Sequence, residues 1–356
     1  MTGQLPSLRE VESAAEHMER EEVDLVGGIR AALVLLLPLG LGFLLHDLAA
    51  GILTTLGTLN LLLVDYPRLP TPKKVLAISV LTNAAAFTFG AVLSANPAEI
   101  AVPLVGVGVA LSYVLGSRLR NYMLGVTTAV LLSVGVGLPI PTAAAAPVQG
   151  LYVLLGGAWG LFGAMIPRWI PGLMARSPPI SSLTRASHVL PRPTTWAEEL
   201  VFPATVGIAV AAGLWISLRL ELVRDFWVML TILVALRPDL TATLEFSTMR
   251  VAGTVLGAAA AFPITLFVTS AGVLLVILTA VAALMYALRT FNYVVYATAI
   301  TIFVIVLLNI SYPGSPGLAV VRVIDTGIGG AIGLAAGTLL WLFYQRRDAP
   351  RGGAAG

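Results

Sequence analysis

Long apolar runs separated by short polar stretches dominate this sequence. A helix needs roughly 20 apolar residues to cross a bilayer, and most of the runs approach that length. The runs do not alternate between polar and apolar residues, which excludes the strands of a membrane β-barrel. We therefore predict twelve helices. They cover residues 26–45, 49–64, 75–95, 99–116, 121–139, 147–167, 200–218, 226–236, 249–269, 271–288, 292–310 and 318–344.

A polar, proline-containing stretch divides the predicted helices into two groups of six. The predicted fold is an all-α polytopic membrane protein, arranged as two parallel six-helix repeats. Two segments, 49–64 and 226–236, look short, and the sequence leaves open whether they cross fully. The predicted domains are an N-terminal cytoplasmic amphipathic helix at 1–25, the first repeat at 26–167, a cytoplasmic linker at 168–199, the second repeat at 200–345 and a cytoplasmic tail at 346–356.

Two motifs that recur at nearly the same spacing are the basis for the repeat. Gly-Gly-Ala-x-Gly-Leu begins at Gly156 and again at Gly329, 173 residues later. Arg-x-x-Asn-Tyr ends at Tyr122 and again at Tyr293, 171 residues later. A duplicated six-helix unit explains both spacings. Chance similarity between helices rich in alanine and glycine is the alternative.

The composition agrees with a membrane protein. Of the 356 residues, 58% are hydrophobic and 11% are charged, whereas soluble domains carry about 25% charged residues. A soluble globular enzyme is therefore excluded. The chain has no cysteine, which excludes a secreted scaffold held together by disulfides.

Basic residues predict the orientation, because loops rich in lysine and arginine stay in the cytoplasm. If all twelve segments cross, 18 of the 21 basic residues fall on one side, and Arg219, Arg224 and Arg322 fall on the other. This predicts a multi-pass protein of the cytoplasmic (inner) membrane with both termini in the cytoplasm. The basic residues lie near segment ends and form no stripe, so the lipid bilayer is the expected partner and nucleic acid is not.

Ionisable residues inside membrane segments are the first functional candidates, because each costs at least ~2.5 kcal/mol. Arg322 and Asp325 stand three residues apart in the last segment, so they share a helix face and can pair. Arg322 could hold a carboxylate, and Asp325 could carry a proton. The alternative is a structural ion pair near the outer interface, with Arg322 extending towards the headgroups.

Two more arginines, Arg30 and Arg250, open the first and ninth predicted segments at the cytoplasmic mouth. There they could concentrate an anion, or they could anchor the helices at the inner interface. Enzyme chemistry has little support, because the chain has three histidines and no HExxH, GxSxG or phosphate-loop motif. We predict no catalytic residue, metal or cofactor, and we do not expect an enzyme.

One stretch of the second half resembles a known family. It reads Trp227-x-x-Leu230-Thr231, Arg237-Pro238, Thr241-x-Thr243 and Arg250-x-x-Gly253-Thr254-x-x-Gly257. This is similar to the W-x-x-L-T…R-P…T…R-x-x-G-T-x-x-G pattern of the fusaric acid resistance (FUSC) family of aromatic acid exporters. The later Arg322-x-x-Asp325 resembles the family's last-helix pattern, and plant aluminium-activated malate transporters look related through the same stretch. The first half has Gly51 and Asn60 where tryptophan and threonine are expected.

The resemblance implies export of small organic anions, often aromatic carboxylates, along a path lined by basic residues. Proton coupling is the expected energy source, because the sequence contains no nucleotide-binding motif. A passive organic-anion channel and a non-transporting membrane scaffold subunit stay open as alternatives. The oligomeric state also stays open, a homo-oligomer included. The predicted substrate site consists of Arg322, Asp325, Arg30, Arg250, Thr231 and Thr254.

Overall fold

Apolar helices form almost all of the structure, because a backbone in lipid must satisfy its own hydrogen bonds. The computed structural model describes residues 25–64, 71–138, 143–169, 196–222, 226–288, 292–311 and 317–348. The predicted N-terminal helix, most of the predicted linker and most of the predicted tail lie outside these residues. Within the described ranges we number twelve helices in chain order. They are α1 (Leu25–Leu44), α2 (Leu48–Val64), α3 (Lys73–Ser94), α4 (Ala98–Arg118), α5 (Tyr122–Gly137), α6 (Ala146–Trp169), α7 (Trp196–Arg219), α8 (Phe226–Ala235), α9 (Leu240–Phe267), α10 (Ala271–Leu288), α11 (Tyr293–Ser311) and α12 (Gly317–Asp348).

Helix length separates the helices that can span a bilayer from those that are short. Nine helices of the described chain are long and apolar enough to cross a membrane, and α2, α5 and α8 are shorter. The ten residues of α8 extend about 15 Å, which is half of a hydrocarbon core about 30 Å thick. By its length alone, α8 reaches only part of the way across.

The start of α9 corrects the predicted position of Arg250. We expected Arg250 to open its segment at the cytoplasmic mouth, but α9 begins at Leu240. Arg250 therefore lies ten residues, or about 15 Å, inside the helix. The first turns of α9 contain Glu245 and several hydroxyl residues, so the apolar run begins much later than the helix. Asp239 caps this helix by accepting a hydrogen bond from the Ala242 N–H at 2.8 Å.

The same helix pairs pack together in both halves of the chain. In the first half, α3 packs against α5 and α6, α2 against α6, and α4 against α5. In the second half, α9 packs against α11 and α12, α8 against α12, and α10 against α11. Between the halves, α1 packs against α10, and α4 packs against α7. The α4–α7 contact depends on glycine, since a Cβ at Gly106 would lie 3.0 Å from the Gly207 carbonyl oxygen.

Glycines of the repeated Gly-Gly-Ala motif lie at matching helix contacts. The Thr58 hydroxyl on α2 donates to the carbonyl oxygen of Gly156 on α6 at 3.0 Å. On α12, a Cβ added at Gly329 would lie 2.7 Å from the Cβ of Thr231 on α8. In each half, a threonine of the shorter helix thus lies at a glycine of this motif.

Candidate functional site

The described part of the chain buries three charged side chains, and all three belong to the second half. They are Arg250 on α9 and Arg322 and Asp325 on α12, with exposed fractions of 4%, 2% and 0%. Helices α9 and α12 pack against each other. Because a buried charge is costly without compensation, their common position is the strongest sign of a functional site.

Arg322 points into the protein interior. Its Cζ atom lies 4.8 Å from the ring centroid of Trp227, which is completely buried near the start of α8. This is a cation–π distance, and such contacts strengthen when water is excluded. Arg322 Nε and Nη1 are buried and form no hydrogen bond. The burial contradicts the alternative in which Arg322 extends towards the headgroups, and it leaves guanidinium donors available to a ligand.

The three charges act on one another. Arg250 and Asp325 both lie within electrostatic reach of the Arg322 guanidinium, and so does Tyr293 at the start of α11. Arg250 Nε is also buried without a hydrogen bond. Two guanidinium groups and one carboxylate give the cluster a formal charge of +1. One carboxylate ligand would neutralise that charge, and a planar carboxylate matches the fork geometry of arginine.

The two predicted threonines differ in what their hydroxyls do. Both are completely buried. The Thr231 hydroxyl donates to the carbonyl oxygen of Trp227 at 3.0 Å within its own helix. The Thr254 hydroxyl has no hydrogen-bond partner, and Thr254 lies one turn beyond Arg250 on the same face of α9. Thr254 is therefore the threonine that can bind a ligand, and Thr231 contributes to packing against α12.

Arg30 is not brought to this cluster. It lies near the start of α1, is half-buried, and its helix packs mainly against α2 and α10. Neither helix carries another predicted site residue. In the first half, the described residue 173 positions before Arg322 is Gln149, so the motif spacing places no arginine there. The buried Gln149 Oε1 forms no hydrogen bond.

Sequence reasoning missed two aromatic members of the site. Trp227 was part of the recognised motif, and Tyr293 was part of the repeated Asn-Tyr motif, but neither was predicted to approach Arg322. Both motifs were visible in the sequence. What the sequence could not show is that the starts of α8 and α11 approach the buried face of α12.

Comparison with known proteins finds a match in the part of the chain that contains these charges. The model of the family described as fusaric acid resistance protein-like matches residues 205–336, which include every buried charge of the described chain. This half of the chain is similar to the FUSC family. Together with the many apolar helices, that similarity indicates a multi-pass membrane protein. The resemblance to plant malate transporters stays a prediction.

Two curated relatives match part of this chain. One is the inner membrane protein YccS of Escherichia coli (strain K12), 36% identical over 128 residues, which are 36% of this chain and 18% of that protein. The other is the uncharacterized protein ORF2 of Neisseria gonorrhoeae, 34% identical over 152 residues, which are 42% of this chain and 36% of that protein. The chain thus matches only a minor part of either relative's length. No solved structure matches the chain.

Proposed function

We propose that this protein is a member of the FUSC family that exports small organic anions across the inner membrane, and that Arg322, Arg250 and Asp325 form its substrate site. The observation that supports this most is that the buried charges of the described chain lie in one cluster with a formal charge of +1. Arginine forks bind a carboxylate in two parallel hydrogen bonds. The Thr254 hydroxyl and the unpaired donors of Arg322 and Arg250 supply the hydrogen bonds.

Aromatic carboxylates are the substrates we favour. Trp227 places a large aromatic surface against Arg322, and an aromatic ring gains from offset or edge contacts with another ring. An aliphatic acid of the same charge would use the arginines but not this surface. The family name of fusaric acid resistance fits the same class of ligand.

Asp325 is the group that we propose carries the coupling proton. Its carboxyl lies three residues from Arg322, on the same face of α12, and is completely buried. Protonation would raise the charge of the cluster from +1 to +2, so proton binding and anion binding influence each other through the same arginines. A passive channel would use the same arginines without this influence.

We also propose that the two halves are parallel six-helix repeats, with both termini in the cytoplasm. The matching helix pairs and the two repeated motifs support the repeat. The unequal distribution of basic residues supports the orientation. The similarity to an inner membrane protein of Escherichia coli supports the choice of membrane.

Flux through proteoliposomes tests the substrate site. Benzoate and acetate would be the probes, with and without a pH gradient. Arg322→Ala should abolish benzoate flux, and Arg322→Lys should keep part of it, because lysine keeps the charge but loses the fork. Arg118→Gln is the matched control, because Arg118 is exposed and pairs with Glu199 instead.

Asp325→Asn distinguishes a carrier from a channel. In a proton-coupled carrier the amide cannot bind a proton, so flux continues but loses its response to the pH gradient. A channel predicts that the unchanged protein already ignores the gradient. Normal benzoate flux in a folded Arg322→Ala protein would contradict the proposed site, and the absence of flux for every carboxylate tested would favour the scaffold alternative.

A further inference from the structure

A second arginine, Arg237, lies between aromatic rings at the other end of α8. Its Cζ atom is 4.2 Å from the ring centroid of Phe246 and 5.2 Å from that of Tyr122. The ring of Tyr293 packs edge-on against Phe246, with centroids 5.0 Å apart. Arg237 follows the last residue of α8 by two positions, and Trp227 is the second residue of that helix. The two arginine clusters are therefore separated by about 15 Å along α8.

The turn that contains Arg237 does not depend on the guanidinium group. The Thr243 hydroxyl accepts a hydrogen bond from the Arg237 N–H at 3.0 Å, and the Asp239 carboxylate caps α9. These backbone contacts hold the turn by themselves. The guanidinium forms no ion pair with any described residue, and its Nε atom is buried without a hydrogen bond. The described residues that interact with this charge are therefore aromatic and carry no negative charge at neutral pH.

Two buried tyrosine hydroxyls lie within electrostatic reach of this arginine. The Oη atoms of Tyr122 and Tyr293 are buried and form no hydrogen bond of acceptable geometry. Tyr122 itself is 4% exposed, so water does not supply the missing bond through an open surface. Neighbouring Tyr113 behaves as a structural tyrosine does, because its hydroxyl donates to the Leu233 carbonyl oxygen at 3.0 Å. Unpartnered buried donors are unusual and costly.

We propose that Arg237, Tyr122 and Tyr293 form a second binding site, which takes the carboxylate group of an organic anion. The rings of Tyr122 and Phe246 both lie at cation–π distance from the guanidinium, so a carboxylate would bind at its edge. The edge presents Nε and an adjacent Nη as a two-donor fork, which fits a planar carboxylate better than a spherical ion. The two hydroxyls would donate further hydrogen bonds to the same oxygens.

The location relates this site to the cluster around Arg322. Tyr293 lies within electrostatic reach of both Arg237 and Arg322, so it stands between the two positions. The two tyrosines are the first residues of α5 and α11 and end the two copies of the repeated Arg-x-x-Asn-Tyr motif. With both termini in the cytoplasm, these helix starts face the cytoplasm. The site then receives the anion before it moves to Arg322, a role that rests on the proposed function.

Equilibrium binding of benzoate to the purified full-length protein tests the site. In an Arg322→Gln background, which removes a charge of the first site, we expect benzoate binding to persist. Adding Arg237→Gln should weaken it at least tenfold. Tyr122→Phe and Tyr293→Phe remove only the hydroxyl, and each is made in the otherwise unchanged protein. Each change should raise the KM for benzoate flux from the cytoplasmic side several-fold, with little change in kcat. Inorganic phosphate should compete with benzoate only weakly.

Two matched variants serve as controls. Arg118→Gln removes an exposed arginine, and Tyr113→Phe removes a hydroxyl that is already bonded, so both should bind benzoate as the unchanged protein does. Two results would overturn the second site and leave the first intact. One is a complete loss of benzoate binding in Arg322→Gln. The other is benzoate binding that is unaffected by the changes at Arg237, Tyr122 and Tyr293. Binding at Arg237 in a protein that shows no flux supports the second site and overturns the proposed transport function.

Discussion

The hydroxyl groups of the two buried threonines predict which of them contacts the proposed ligand. Thr254 has a buried hydroxyl without a partner, and the Thr231 hydroxyl is bonded within its own helix. A hydrogen bond to a charged group contributes about 1.5–3 kcal/mol, so Thr254→Val should raise the KM for benzoate flux about tenfold. Thr231→Val should leave the KM within about twofold. Equal effects of the two changes would show that Thr254 acts through packing.

Two nearby glycines of α12, of which one packs against α8 and the other does not, allow a similar comparison for stability. A Cβ at Gly329 would lie 2.6 Å from the Val228 carbonyl oxygen, whereas a Cβ at Gly327 would meet nothing within 4 Å. Gly329→Ala forces α8 and α12 apart, and overpacking of this kind costs about 1–3 kcal/mol. We expect a lower apparent Tm in detergent for Gly329→Ala and an unchanged or slightly higher Tm for Gly327→Ala. The reverse order would mean that α8 and α12 pack differently.

At the scale of helices, the turn between α8 and α9 explains why the Arg-Pro and threonine positions occur together in the recognised motif. The Thr243 hydroxyl bonds to the N–H of Arg237 and lies 2.8 Å from the Asp239 carbonyl oxygen. It thereby joins the end of one helix to the first turn of the next. Because α8 is short, this turn sets the position of Arg237 relative to the rest of the bundle.

Removal of that hydroxyl should destabilise the turn. Thr243→Val leaves the Arg237 N–H without its acceptor, and an unsatisfied buried donor costs about 1–3 kcal/mol. We expect a lower apparent Tm and weaker benzoate binding, since Arg237 would move. Thr248→Val is the control on the same helix, because the Thr248 hydroxyl bonds to Leu244 O within the helix and is exposed. If both variants melt at the same temperature, the turn does not depend on Thr243.

The sequence predicted where helices occur better than where they begin. Apolar runs identified each described helix, including short α8, which was expected at 226–236 and is found at Phe226–Ala235. The start of α9 was misplaced, because hydropathy counts the polar residues before Arg250 as loop although the backbone is helical. That error placed Arg250 at the membrane surface. The i, i+3 spacing of Arg322 and Asp325 does not depend on where the helix begins, and both residues are buried on α12. Their role as a substrate site stays a prediction.

Contacts between distant helices could not be predicted in this way. Helical spacing relates residues on one helix, but the proximity of Arg322 to Trp227, or of Arg237 to Tyr122, depends on how α5, α8 and α12 pack. For Arg30, the sequence predicted a proximity that the structure does not have. It was grouped with the other arginines by charge and by position along the chain, and the packing of α1 keeps it apart from them.

At the scale of the whole molecule, the proposed parallel repeat makes a prediction about which loops share a side. The chain has no cysteine, so single introduced cysteines can be labelled without background. Ala95 lies between α3 and α4, Ser270 lies between α9 and α10, and both are exposed. Six helices separate the two positions. If all six cross the membrane and both termini are cytoplasmic, both loops face outwards.

Ala95→Cys and Ser270→Cys should therefore react with an impermeant thiol reagent added to intact cells. Arg120→Cys, in the exposed connection between α4 and α5, should react only after the cells are opened. An inverted repeat would instead place Ala95 and Ser270 on opposite sides, because each half would then enter from a different face. The test also shows whether the short α8 crosses the membrane. If α8 enters from outside and the turn at Arg237 returns to the outside, Ser270→Cys is protected while Ala95→Cys is labelled. Labelling of both loops from outside requires that α8 and its turn complete the crossing.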